Sequence, residues 1–86
     1  MSYEIIFTTK AEKQFKKLDK ITQTRIGYAL ERISTRPDEY VRKLSGFSYY
    51  RLRVGDYRII MDIQHQSLII FIIAVAHRRN VYESFG

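Results

Sequence analysis

Apolar residues fall along this chain in two successive rhythms, and the change between them separates a helical first half from a stranded second half. Tyr3 to Phe7 is short and rich in β-forming residues, which predicts a first strand. Thr9-Lys10-Ala11-Glu12 follows with capping-box spacing, where a hydroxyl and a carboxylate satisfy reciprocal backbone amides, and predicts a helix starting there. Within it Ala11, Phe15 and Leu18 recur at helical spacing while Lys10, Lys13, Lys16, Lys17 and Lys20 fill the rest. One narrow stripe is therefore expected to be buried and the remainder to be a basic, solvated surface. After Asp19-Lys20, Ile26, Leu30 and Ile33 mark a second amphipathic helix. It must stop near Thr35, because Pro37 disfavours helical geometry in the residue before it. So short a link between two helices predicts an antiparallel hairpin, and Pro37 to Gly46, carrying Lys43-Leu44-Ser45-Gly46, is a polar connector.

From Phe47 the period becomes two. Tyr50, Leu52 and Val54 fall on one face of a strand, and Tyr49, Arg51 and Arg53 on the other. Gly55-Asp56 then supplies a two-residue loop with glycine first, as a type II′ turn prefers, and such a loop sets the register with Val54 opposite Tyr57. Arg53 then lies opposite Arg58, Leu52 opposite Ile59, Arg51 opposite Ile60 and Tyr50 opposite Met61, each pair sharing a face. Three arginines gather on one side. Like charges directly opposite one another weaken a sheet, so the arrangement makes most sense with a polyanion between them, unless Asp56, Asp62 or a glutamate neutralises them. Arginine suits the first role because its planar fork matches phosphate oxygens, and Tyr49 beside it offers a ring for base stacking.

Leu68 to Ala76 returns as a third strand of this meander, apolar on both faces and so expected inside the sheet, with His65-Gln66 in an exposed turn before it. Continued straight, this strand would aim His77 to the arginine side and Arg78 to the core side; a bulge would re-aim them. Spacing alone leaves open which of Arg78 and Arg79 joins the hairpin arginines. The run His77-Arg78-Arg79-Asn80-Val81-Tyr82 sets an imidazole, two guanidiniums and a phenol at a strand end, where sites tend to lie. The whole is an α+β domain over residues 1–86. Its expected order is an N-terminal strand, an antiparallel helical hairpin and a three-stranded antiparallel meander, forming a twisted sheet with helices on one face.

Composition narrows the chemistry. With 45% apolar and 14% aromatic residues the chain can close one core, so it is globular. It has no cysteine and only two histidines, which excludes disulfides, thiolate metal sites and thiol catalysis and leads us to expect neither metal nor cofactor. The first residues lack the apolar core of a signal peptide, and the apolar run Leu68 to Ala76 is less than half of the roughly 20 residues a membrane helix needs. A cytosolic protein without a membrane partner is expected. Fifteen Lys and Arg against nine Asp and Glu leave a net charge of +6, which favours anionic partners.

The strand, the helical hairpin, Lys43-Leu44-Ser45-Gly46, Tyr50-Arg51-Leu52-Arg53, Gly55-Asp56-Tyr57-Arg58 and His77-Arg78-Arg79-Asn80-Val81-Tyr82 together resemble the RelE branch of the RelE/ParE toxin superfamily, over essentially the whole chain. The resemblance implies a ribosome-dependent endonuclease that cleaves mRNA in the decoding site. It also implies a RelB-type antitoxin as partner, with operator DNA met only through the antitoxin complex. Carried over position by position, it implies Arg51, Arg53, Arg58, Arg78 and Tyr82 as the reacting set. This chain departs from well-known members in having arginines on the hairpin strand where they have lysines, and in a shorter spacing from Arg78 to Tyr82.

Metal-free RNA cleavage proceeds by attack of a ribose 2′-hydroxyl on the adjacent phosphate. It needs a proton acceptor, stabilisation of the pentacovalent state and protonation of the leaving 5′-oxygen. Arg53 and Arg58 are expected to hold phosphate oxygens, and Arg51, Tyr49, Arg79 and Lys43 to contact the RNA. Arginine is a poor base, so the acceptor is His77 or Tyr82, with His77 favoured by its pKa and Tyr82 suited to stacking or orientation. Two other readings share these residues: a ParE-like toxin that inhibits DNA gyrase by binding, and a non-catalytic nucleic-acid-binding module acting within an antitoxin complex.

Overall fold

A computed structural model describes residues 2–44, 46 and 48–81. Strand β1 spans Glu4–Phe7, helix α1 Thr9–Lys16 and helix α2 Lys20–Thr35. Helix α1 is capped one residue earlier than its sequence suggests. Thr8, still extended at the end of β1, accepts the Ala11 N–H on its hydroxyl at 3.2 Å. The third helical position is therefore Ala11, no reciprocal box with Glu12 forms, and Glu12 pairs with Lys16 one turn on at 3.4 Å. Asp19 caps α2 in the same way, accepting from the Thr22 hydroxyl and backbone N–H, bonds that hold its carboxyl below the usual range. Gln23 ties the helices together by donating to the carbonyls of Phe15 and Leu18 at the end of α1.

The connector is more structured than its polar composition implies. Pro37 opens a one-turn helix, α3 (Pro37–Tyr40), where its missing N–H costs nothing, and Arg42–Lys43 forms a two-residue strand, β2. Three longer strands follow: β3 (Tyr50–Val54), β4 (Tyr57–Gln64) and β5 (Ile69–His77). They form one five-stranded sheet in the order β1-β5-β4-β3-β2, with β1 parallel to β5 and the other neighbours antiparallel. The meander expected from the sequence is thus bordered by β1 at one edge and by the short β2 at the other, and β5 is an interior strand as its apolar run predicts.

One face of the sheet is covered by helices. Ala11 from α1 and Ile26, Leu30 and Ile33 from α2 meet Leu52, Ile59, Met61, Ile63, Ile70, Ile72 and Val75 in the main core. Each of the isoleucines fully removed from water contributes about 1.5–3 kcal/mol. The predicted stripe of α2 is buried, and that of the first helix is buried at Ala11, with Phe15 and Leu18 half-buried against the core. The other face carries a smaller apolar cluster of Leu44, Ile60, Ala74, Ala76 and Val81.

A β-bulge decides how the two faces divide. Met61 pairs with Ile72 but Ile60 pairs with Ala74, so Ile73 is an extra residue in β5. Its backbone is looked after by the first helical segment: Thr8 donates its hydroxyl to the Ile73 carbonyl at 3.4 Å, and the Gln14 side-chain oxygen accepts the Val75 N–H at 2.8 Å. One extra residue reverses the alternation beyond it. Ile70 and Ile72 point to the helices, and after the bulge so do Val75 and His77, opposite Ile59 and Tyr57. Ala74 and Ala76 are left on the other face. The straight-strand expectation for His77 and Arg78 is therefore corrected: the bulge turns His77 to the helix side.

Candidate functional site

The hairpin adopts the register derived from its turn. Val54 pairs with Tyr57, Arg53 with Arg58, Leu52 with Ile59, Arg51 with Ile60 and Tyr50 with Met61. Gly55 sits at φ +58°, the left-handed region that the first position of this turn requires, while Asp56 does not, as a type II′ geometry demands. Tyr50, Leu52 and Val54 consequently join the main core, and Arg51, Arg53 and Arg58 stand together on the open face.

Arg58 is the centre of this group. It is half-buried, and its Nη1 donates to the carbonyls of Gly55 and Tyr57, both at 3.0 Å, so the guanidinium is held against the turn. Its remaining donors have no protein partner among the described residues and are available to an anion. Desolvation, followed by the charges of Arg53, Arg51 and Arg78, pulls its pKa below the ordinary value, with Asp56 opposing. It stays protonated at neutral pH. Four guanidiniums gathered around Arg58 form a concentrated positive field that a polyanion relieves.

Arg78, rather than Arg79, belongs to this cluster. After β5 the chain turns, the Arg78 N–H donates to the Asp56 carbonyl at 2.7 Å, and its Nε lies 3.9 Å from the Asp56 carboxylate. Both side chains are mostly exposed, so this ion pair is weak and leaves Arg78 usable. Arg79 is exposed, and its N–H donates to His77 Nδ1 at 3.3 Å. His77 itself meets the ring of Tyr57 edge-on, with centroids 5.6 Å apart, on the side away from the arginines. The structure thus does not bring His77 to the arginine face. Tyr49 does lie there, half-buried against Ile60 and its neighbours. Val81 folds back into that same cluster; Tyr82, which follows it, lies outside the described residues, as does Ser45 of the connector motif.

Lys43 pairs with Tyr50 and so faces the helices, whereas Arg42 pairs with Arg51 and shares the arginine face. Arg42 was missed in the sequence because a two-residue strand carries no periodicity; only its pairing partner reveals its side. Two arginine pairs, Arg42 with Arg51 and Arg53 with Arg58, are therefore directly opposed across strands. Among the described residues no three histidine or carboxylate side chains converge, and none of the helices is long and apolar enough to cross a membrane.

Comparison with known proteins agrees with this architecture. Residues 5–82 match the family model described as the ParE toxin of type II toxin-antitoxin system, parDE. A putative RelE-like toxin protein of Escherichia coli is 30% identical over 81 residues, covering 91% of this chain and 85% of that protein. Toxin RelE3 of Methanocaldococcus jannaschii is 37% identical over 46 residues, an alignment covering 52% of this chain and half of that protein's length. Among solved structures, the toxin-antitoxin complex RelBE2 of Mycobacterium tuberculosis contains a chain that superposes with a TM-score of 0.82 at 25% identity, covering 91% of this chain and 100% of the other. Family model and relative together place this chain in the ParE toxin family of type II toxin-antitoxin systems, within the RelE/ParE superfamily, and the fold agrees.

Proposed function

We propose that this toxin is a ribosome-dependent mRNA endonuclease that works by 2′-hydroxyl attack, with the arginine face as its phosphate site. The observation that carries the reading is the convergence of Arg51, Arg53 and Arg78 on Arg58, opposed among the described residues by a single carboxylate, Asp56. A field of this kind is matched to the extra negative charge of a pentacovalent phosphorane. Arg58 and Arg53 hold the phosphate oxygens, Arg78 stands at the leaving-group end, and Arg51 with Arg42 tracks the backbone. The half-buried Tyr49 borders the same surface.

The proton acceptor is Tyr82 in this reading, the second of the two groups the sequence offers for that task and one that the family resemblance counts in the reacting set. His77 is the poorer candidate, because it packs on Tyr57 across the sheet from the arginines. A site without a strong base of its own suits an enzyme whose message is oriented by the ribosome. The partner is a RelB-type antitoxin, by analogy with the complexes in which RelE-like toxins have been solved; operator DNA is reached through that complex, and the site of action is cytoplasmic.

The test adds the purified chain to a translating extract and maps message ends, beside Arg58→Ala and Tyr82→Phe. Cuts confined to ribosome-bound message, lost in both variants, are the expected result. The family model's ParE description favours a second reading, inhibition of DNA gyrase by binding. Gyrase inhibition with uncut message would replace the nuclease reading by that one.

A further inference from the structure

A second basic surface lies around the edge of the hairpin, between α2 and the uncovered end of β3. It is a cleft of about 450 Å³, within the roughly 300–1,000 Å³ of ordinary ligand sites, lined by Arg25, Tyr28, Arg32, Tyr40, Arg53 and Gly55 over an aliphatic floor. No acidic side chain lines it among the described residues, and no salt bridge among them reaches Arg25, Arg32 or Arg53. Arg25, Tyr28 and Arg32 stand three and four residues apart on α2, which puts them on one side of the helix. Arg32 lies over the Tyr40 ring, 5.6 Å from its centroid, while Tyr28 is 66% exposed, a large ring left to solvent.

The cleft is continuous with the arginine face. Arg53 lines it and also stands opposite Arg58 across the hairpin. Strand β2 pairs only with Tyr50 and Arg51, so it stops short of Arg53 and leaves the β3 edge open there. At the turn the Arg25 guanidinium approaches to 3.3 Å from where a Cβ on residue 55 would stand. Gly55 therefore serves twice, supplying the positive φ of the turn and the room for Arg25 to lie against it.

We propose that this cleft is a second RNA subsite, binding the single strand that flanks the phosphate held by Arg53 and Arg58. Arg25 and Arg32 take backbone phosphates and Tyr28 stacks a base, the combination of cationic groove and aromatic platform that holds single strands without sequence readout. The inference rests on the arginine face being the site of RNA contact, and its test separates the two.

The probe is a fluorescent, fully 2′-O-methylated single-stranded RNA, which cannot be cut, in lengths of about four and about twelve nucleotides, near the limits of a single binding module. Anisotropy titrations use the whole chain. Arg25→Ala/Arg32→Ala is expected to weaken the longer RNA by about tenfold and to flatten its salt dependence by about 1.4, at roughly 0.7 per phosphate on a single strand. The short RNA changes by less than about twofold, as only the hairpin site holds it. Tyr28→Ala is expected to weaken the longer RNA by about five- to a hundredfold through lost stacking. Arg25→Lys/Arg32→Lys keeps the salt slope, and Lys13→Ala/Lys17→Ala removes equal charge from α1 and its C-cap without the length-dependent loss. Matching melting temperatures confirm that these exposed substitutions leave the fold intact.

Wild-type affinity of Arg25→Ala/Arg32→Ala for the longer RNA overturns the subsite, as does an equal loss in the α1 variant, which would mean charge without a site. Unchanged RNA binding together with weakened binding of polyglutamate also overturns it, in favour of an acidic polypeptide. If message stays uncut in the translating extract while the length-dependent loss appears, the subsite stands and the nuclease reading fails. If message is cut and the length-dependent loss is absent, the reverse holds.

Discussion

The two faces of the sheet solve different problems with neighbouring residues of the same strands. Under the helices, Ile26, Ile33, Ile59, Met61, Ile70 and Ile72 are fully buried and interlock into the core that stabilises the fold. On the opposite face the buried apolar patch has five members among the described residues, two of them alanines, and Arg42, Arg51, Arg53, Arg58 and Arg78 share that side. Small side chains under long arginines leave a shallow platform on which guanidinium groups can reach a ligand. Directly opposed arginines cost stability, and the core on the other face offsets that cost. The stabilising core and the proposed site are thus separated by the thickness of one sheet.

Substitutions sharpen that contrast. Ile72→Ala opens a cavity in the closed core and is expected to cost about 2–5 kcal/mol, measured by urea unfolding. A loss below about 1 kcal/mol would mean that the helix-covered face is not the main source of stability. Arg58→Ala should do the opposite, lowering mRNA cleavage by about a hundred- to a thousandfold, as removal of an oxyanion donor does, with unfolding stability kept or raised. Arg53→Gln removes one like-charge pair, and is expected to raise stability by about 0.2–1 kcal/mol at low salt, less as salt screens the repulsion. A destabilised Arg53→Gln would show that the arginines are structural. Smallest of all is the effect of His77→Gln, which should leave cleavage within about twofold because the imidazole lies on the far face. A loss comparable to that of Arg58→Ala would break the assignment of faces.

The hairpin shows how much a short stretch can disclose. Its turn residues and alternation are local, so the pairing of Arg53 with Arg58 followed from Gly55-Asp56 alone and holds in the structure. The helical stripes were equally open to reading, because Ala11, Ile26, Leu30 and Ile33 repeat at the helical period. Beyond the hairpin the reading failed wherever a distant partner sets the geometry. Thr8 displaced Thr9 as the cap because β1 ends by bonding to β5, leaving Thr8 extended at the entrance to the helix. Lys43 and Arg42 exchanged places because β2 exists only through its pairing with β3.

The amino-acid sequence by itself determined the longer elements, the register of the hairpin, the concentration of charge on one of its faces and the likeness to the RelE/ParE toxins. Only the tertiary structure decided which residues of the strand end share that face. The decision lies in the bulge at Ile73, stabilised by Thr8, 65 residues away in the chain, and by Gln14 of α1, 61 residues from the Val75 whose N–H it accepts. A period of two has no memory of an inserted residue until the neighbouring strand counts against it, so no local pattern could have told His77 from Arg78.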